Sequence, residues 1–194
     1  MAIRKDFPQY YPETRQQWRD WLAENHVTAD GVWLVYYKKG TGKPTVTYDE
    51  AVEEALCFGW IDSVPNKLDD ERYKQLFSPR NIKSPWSKLN KERVAHLLKS
   101  GRITDAGLAK IEAAKRNGSW TIYDPVEALE IPNDLQQALA NNPAAEKYFT
   151  QFAPTYKKGI LWWIISAKRA ETRQKRVVKT VAMAEQNLKA NFDG

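Results

Sequence analysis

The chain has 194 residues and a formal net charge of +6, from 30 Lys and Arg against 24 Asp and Glu. That length suits one domain or a domain with a smaller lobe, and an apolar share of 42% excludes wholesale disorder. A single Cys excludes an internal disulfide framework, and with only two His it leaves too few ligands for a His/Cys metal site. The start carries Arg4 and Lys5 with no apolar segment behind them, so no secretory signal is expected. A helix is predicted from Glu13 to Asn25, with Trp18, Trp21 and Leu22 on one face. Val32 to Lys38 is β-branched and aromatic throughout, the pattern of a strand buried on both faces. After a loop at Gly40–Pro44, Thr47 and Glu50 form a capping box ahead of Val52, Ala55 and Leu56. Gly59 stops that helix, and two strands, from Trp60 to Val64 and from Arg72 to Phe77, flank a polar turn.

Beyond Pro79 the spacing turns helical. Asn90 is expected to cap a helix carrying Val94, Leu97 and Leu98, and Thr104 one carrying Leu108, Ile111 and Ala114. Residues 119–132, with Pro125 and Pro132, read as a linker. Short helices follow near 134–141 and 144–152. Pro154 opens another, and a last helix spans Glu171–Asn191 with Val177, Val181, Ala184 and Leu188 as its stripe. The longest apolar run, Ile160–Ile165, falls far short of the ~20 residues that span a bilayer. The expected architecture is α+β: a small sheet with flanking helices in the N-terminal half, and an all-helical C-terminal region packed against it. The expected divisions are 1–120, a linker at 121–132, and 133–194.

Charge is uneven. Nine basic residues stand against two acidic ones between Thr155 and Ala190, and Arg169, Arg173 and Arg176 would share a face of a continuous helix. They are candidates for an anion site, since Arg presents a two-armed donor; a solvated helix face is the plainer reading. A second basic zone, Arg72 to Arg102, is interleaved with Tyr73, Phe77 and Trp86, a mixture that single-stranded nucleic-acid binders use. The helices on either side of Gly101 also have helix-turn-helix spacing, a weak signal. Cys57 has no local His and reads as a small buried hydrophobe. Asp62, an acid in an aromatic strand, must be paired or perturbed; Arg72 or Arg80 is its expected partner, and a general acid/base role is the alternative. The acids Glu50, Glu53 and Glu54 read as a helix face, and Asp69, Asp70 and Glu71 as a turn. No phosphate-loop, dinucleotide, nucleophile-elbow or zinc-protease motif is present.

The string Ala55-Leu56-Cys57-Phe58-Gly59-Trp60-Ile61-Asp62-Ser63, followed by Arg72-Tyr73, Phe77-Ser78-Pro79-Arg80, Ser84-x-Trp86-Ser87-x-x-Asn90 and Gly101-Arg102, resembles the YdeI/OmpD-associated proteins. So does the stretch from Trp163 through Lys168, Arg169, Glu171 and Arg173 to Arg176. The resemblance implies a bacterial protein of the stress response, linked to protection against bacteriocins and cationic antimicrobial peptides. It brings no agreed reaction and no catalytic set. Its motif positions Trp60, Asp62, Arg80, Trp86, Asn90, Lys168, Glu171 and Arg173 are candidates for a cleft between the two lobes, or for a hydrogen-bonded seam there. The leading expectation is a cytoplasmic, non-enzymatic protein that binds a small molecule or a protein partner, with no cofactor and no metal. A single-stranded nucleic-acid binder, or an enzyme built on Asp62 with nearby Arg and Trp, are the alternatives.

Overall fold

Val32–Tyr37 forms β2, one of the two inner strands of a four-stranded mixed sheet. The structure, a computed structural model, describes residues 7–191, so the charged start at Arg4 and Lys5 lies outside the described residues. The chain divides into two units between Thr121 and Ile122. In the first, β1 (Gln9–Tyr10) runs parallel to β2, while β3 (Trp60–Lys67) and β4 (Arg72–Pro79) form an antiparallel hairpin, giving the order β1-β2-β4-β3. The hairpin turns where Asp69 accepts backbone N–H bonds from Glu71 and Arg72, at 3.0 and 2.7 Å.

Register decides which residues meet. Tyr36 pairs with Tyr73, Leu34 with Gln75, Val32 with Phe77, and Asp62 with Phe77 from the other side. Opposed and alternate residues share a face, so these side chains stand together. Helices α1 (Arg15–Asn25) and α2 (Tyr48–Cys57) cover that face. Trp18 meets Phe77 edge-on at 5.4 Å, Trp21 meets Trp60 at 5.7 Å, and the Trp18 indole donates to the Ala51 carbonyl. The strand expected to be buried on both faces is buried at Val32, Leu34, Val35 and Tyr36, while Trp33 and Tyr37 on the second face stay half-buried.

The capping box of α2 forms as expected, with both reciprocal bonds between Thr47 and Glu50. Gly59 leaves α2 at φ +72, and a Cβ there would lie 2.9 Å from the Ala106 carbonyl oxygen. Helix α3 (Lys88–Lys99) is capped by Ser87, one turn earlier than expected; Asn90 supplies the backbone N–H that Ser87 accepts. Thr104 caps α4 (Asp105–Asn117) as predicted. Of the apolar residues expected along these two helices, Leu98 and Leu108 are partly exposed, and Val94, Leu97, Ile111 and Ala114 do the packing.

The second unit is helical, which makes the chain α+β. The stretch read as a linker holds a short helix, α5 (Asp124–Glu127), whose Val126 is fully buried. Then come α6 (Asn133–Ala140), α7 (Pro143–Gln151), α8 (Pro154–Ile165) and α9 (Ala170–Glu185). The core gathers Leu135, Phe149, Ile160, Leu161, Ile164, Val177 and Ala184. Helix α9 ends before Leu188, which is exposed, because Asn187 takes a left-handed turn at φ +59. Among the described residues no helix is long and apolar enough to cross a membrane.

Candidate functional site

Asp62 stands at the polar end of the helix-covered sheet face. Its Oδ2 accepts from the Tyr48 hydroxyl at 3.0 Å and from Gln75 Nε2 at 2.7 Å, and Gln75 also donates to the Ser63 carbonyl at 2.6 Å. The expected ion pair with Arg72 or Arg80 does not form. Arg72 is taken by Asp69, three residues earlier in the hairpin turn, at 2.6 Å. Beside Asp62, Tyr36 stacks on Tyr73 with ring centroids 4.8 Å apart, and its buried hydroxyl has no hydrogen-bond partner. Burial and the charge of Asp62 push the Tyr48 phenol up to about 12. Burial, then Tyr73 and Asp62, push Tyr36 up further still. Both phenols are hydrogen-bond donors at neutral pH.

Arg80, just past β4, is only 3% exposed. Its guanidinium carbon lies 3.7 Å from the centre of the Trp86 ring, and Nη2 donates to the Pro85 carbonyl at 2.5 Å. Nε donates to nothing. Burial lowers its pKa to about 10, against the opposing pull of Asp62, so it is charged at pH 7. Asn90 accepts from Arg93 at 3.1 Å; Arg93 also binds Asp49 and lies 5.9 Å from the Tyr48 ring centre. Asp62, Tyr48, Arg93 and Asn90 thus form one connected row. Trp60 is set apart from it: its indole donates to the His26 carbonyl inside the core.

The remaining candidates lie in the second unit. Lys168 and Arg169 are exposed, and Glu171 pairs with Lys175 at 2.6 Å on the surface of α9. Arg169 is the extended residue before α9, so the expected three-arginine face is not continuous. Arg173 instead grips Asp134 with two bonds, 2.6 and 2.9 Å, and holds that carboxyl below its ordinary range. Arg176 binds the Trp163 carbonyl and lies over the Trp163 ring at 5.1 Å. Two of the three candidate anion-binding arginines are therefore engaged inside the unit. The outer face of α9 adds a shallow, open depression of about 490 Å³ lined by Glu171, Gln174, Lys175, Val178 and Lys179. The ring surfaces expected to interleave with the second basic zone are not open for stacking: Phe77 and Trp86 are buried and Tyr73 stacks on Tyr36.

Glu54, expected on a solvated helix face, is instead the centre of an ion cluster. Glu54, on α2, is fully buried and binds Arg15 at 2.6 Å, Arg19 at 2.6 Å and Arg102. Its signal was Arg15 and Arg19 at i, i+4 spacing, which points both at one helix neighbour. Burial raises the Glu54 pKa, but hydrogen bonds from Arg19, Arg15 and Arg102 outweigh it and hold the carboxyl below the usual glutamate value. Nearby Cys57 is buried, as expected; burial and the charge of Glu54 push its thiol up to about 11. In the folded protein Cys57 is expected to resist a thiol-specific disulfide reagent at pH 8 and to react fully in denaturant. Rapid native labelling would contradict that environment.

Two families match. Residues 10–110 match the family described as a domain of unknown function (DUF8412). Residues 128–187 match the family described as bacteriocin-protection, YdeI or OmpD-associated. The row of Asp62, Tyr48, Arg93 and Asn90 lies in the first stretch, and Lys168 to Arg176 in the second. No curated protein and no solved structure matches the chain.

Proposed function

The chain belongs to the DUF8412 family, and its residues 128–187 to the bacteriocin-protection, YdeI or OmpD-associated family; from that membership we propose that it protects a bacterial cell against bacteriocins by binding, without catalysing a reaction. The match over residues 128–187 carries this reading. Two physical arguments shape it. A chain of net charge +6 attracts anions over cations at long range, which favours a neutral or anionic partner over direct capture of cationic peptides. Its partner is instead a neutral or anionic molecule in the cytoplasm. In the first unit, Asp62 is surrounded by phenol and amide donors that keep their protons at neutral pH, an arrangement suited to recognition rather than to proton abstraction.

A strain lacking the gene, challenged with bacteriocins, tests this. Survival is expected to fall on deletion and to return when the full chain is supplied from a plasmid. Unchanged survival in the deletion strain overturns the proposal.

A further inference from the structure

We infer that Arg80 and Asp62 are the two poles of a binding site for a small oxyanion that carries a neighbouring hydroxyl or amino group. The inference rests on the reading of this chain as a binding protein and names the ligand class. Five other arginines of the first unit have carboxylate partners: Arg15, Arg19 and Arg102 share Glu54, Arg72 has Asp69 and Arg93 has Asp49, while Arg116 is exposed to water. Arg80 is more deeply buried than any of these, yet among the described residues no carboxylate forms an ion pair with it. A guanidinium taken out of water without a counter-charge is costly, and stacking on Trp86 with one bond to a carbonyl offsets only part of that. An oxyanion on Arg80 supplies the missing charge, and the planar donor fork suits a carboxylate or a phosphate equally.

Asp62 selects among oxyanions. Its charge reaches Arg80, but both of its side-chain bonds run through Oδ2, so Oδ1 remains to accept. A ligand that is anionic throughout is repelled there; one with a hydroxyl or amino group beside its anionic group donates to Oδ1 instead. The buried hydroxyl of Tyr36, without a partner and within the electrostatic reach of Asp62, is a further polar group for the same ligand.

The test follows the Arg80 Nε–H resonance of the 13C,15N-labelled full chain, assigned in the wild type through its own side-chain carbons to the Arg80 backbone. Glycolate represents hydroxy acids and glycerol 3-phosphate represents phosphate esters, with acetate and sodium chloride as comparisons. A saturable shift of the Nε–H signal is expected with glycolate, glycerol 3-phosphate or both, and the responding probe identifies the source. Acetate, lacking the donor, is expected to bind about tenfold more weakly than glycolate, and Asp62→Asn is expected to erase most of that difference. No saturable shift with either probe, or equal shifts with sodium chloride, overturns the inference. The wild-type titration decides this even where a variant fails to fold. It uses purified protein without bacteriocin, so its failure leaves the survival phenotype standing, and loss of that phenotype leaves the titration standing.

Discussion

Glu54→Gln is expected to cost the first unit about 3–5 kcal/mol, the loss typical of removing one partner from a buried ion cluster. Glutamine keeps the shape of the side chain but removes the charge that three guanidinium groups share. Arg15 and Arg19 come from α1, and Arg102 from the turn before α4, so one carboxylate ties two other parts of the unit to α2. Without it the three cations face one another, with only Glu53 left to Arg15. Set against a total stability of roughly 5–15 kcal/mol, the change is severe. Glu53→Gln removes one half-exposed pair and is expected to cost no more than about 1 kcal/mol. The pH dependence follows from the lowered pKa of Glu54. Its contribution is fully present above the ordinary glutamate value and disappears as pH falls through the lower, folded-state value. Urea denaturation should therefore separate wild type from Glu54→Gln at pH 7, and the gap should close only well below about pH 4. A gap smaller than that of Glu53→Gln at pH 7 would show that Glu54 is no brace.

Gly107→Ala is the second large effect. On an isolated helix, alanine would gain about 1 kcal/mol over glycine. Here the new Cβ would lie 2.3 Å from the Cys57 carbonyl oxygen and 2.8 Å from the Leu56 carbonyl oxygen. Both obstacles are backbone and cannot rotate away, so α4 must move off α2. That shift would also stretch the two bonds that Thr104 makes to the Cys57 carbonyl, through its N–H at 3.1 Å and its hydroxyl at 2.7 Å. The net loss is expected to be about 1–3 kcal/mol or more, as for other overpacked contacts, read as a lowered Tm. A rise in Tm would mean that the two helices do not approach as closely as described.

Local chemistry was legible in the sequence. The caps at Thr47 and Thr104 involve groups within a few residues of one another, so type and spacing suffice. Where two capping residues stood three apart, the local code was ambiguous: Ser87 caps α3, and Asn90 holds Arg93. The two-residue β1 has no signature of its own in the sequence, because its place comes from pairing with β2. Asp62 was recognisable as a residue that needs partners, but which guanidinium reaches it depends on the turn that gives Arg72 to Asp69. Glu54 looked like one more acid on a helix face, since its burial depends on arginines 35, 39 and 48 positions away. Arg169 shows the opposite failure: a face drawn by spacing requires the helix to run through it, and α9 begins one residue later.

Complementation tests the central claim most directly, because it joins the binding group in the first unit to protection of the cell. A deletion strain is supplied with wild-type chain, Arg80→Met or Asp62→Asn, at matched protein level, and challenged with bacteriocin. Methionine keeps an apolar stem against Trp86 but removes the charge and the bond to the Pro85 carbonyl; Asp62→Asn serves if that variant does not accumulate. Wild type is predicted to restore survival, and a folded variant to leave it at the level of the deletion. Equal survival with wild type and a folded variant would contradict the account.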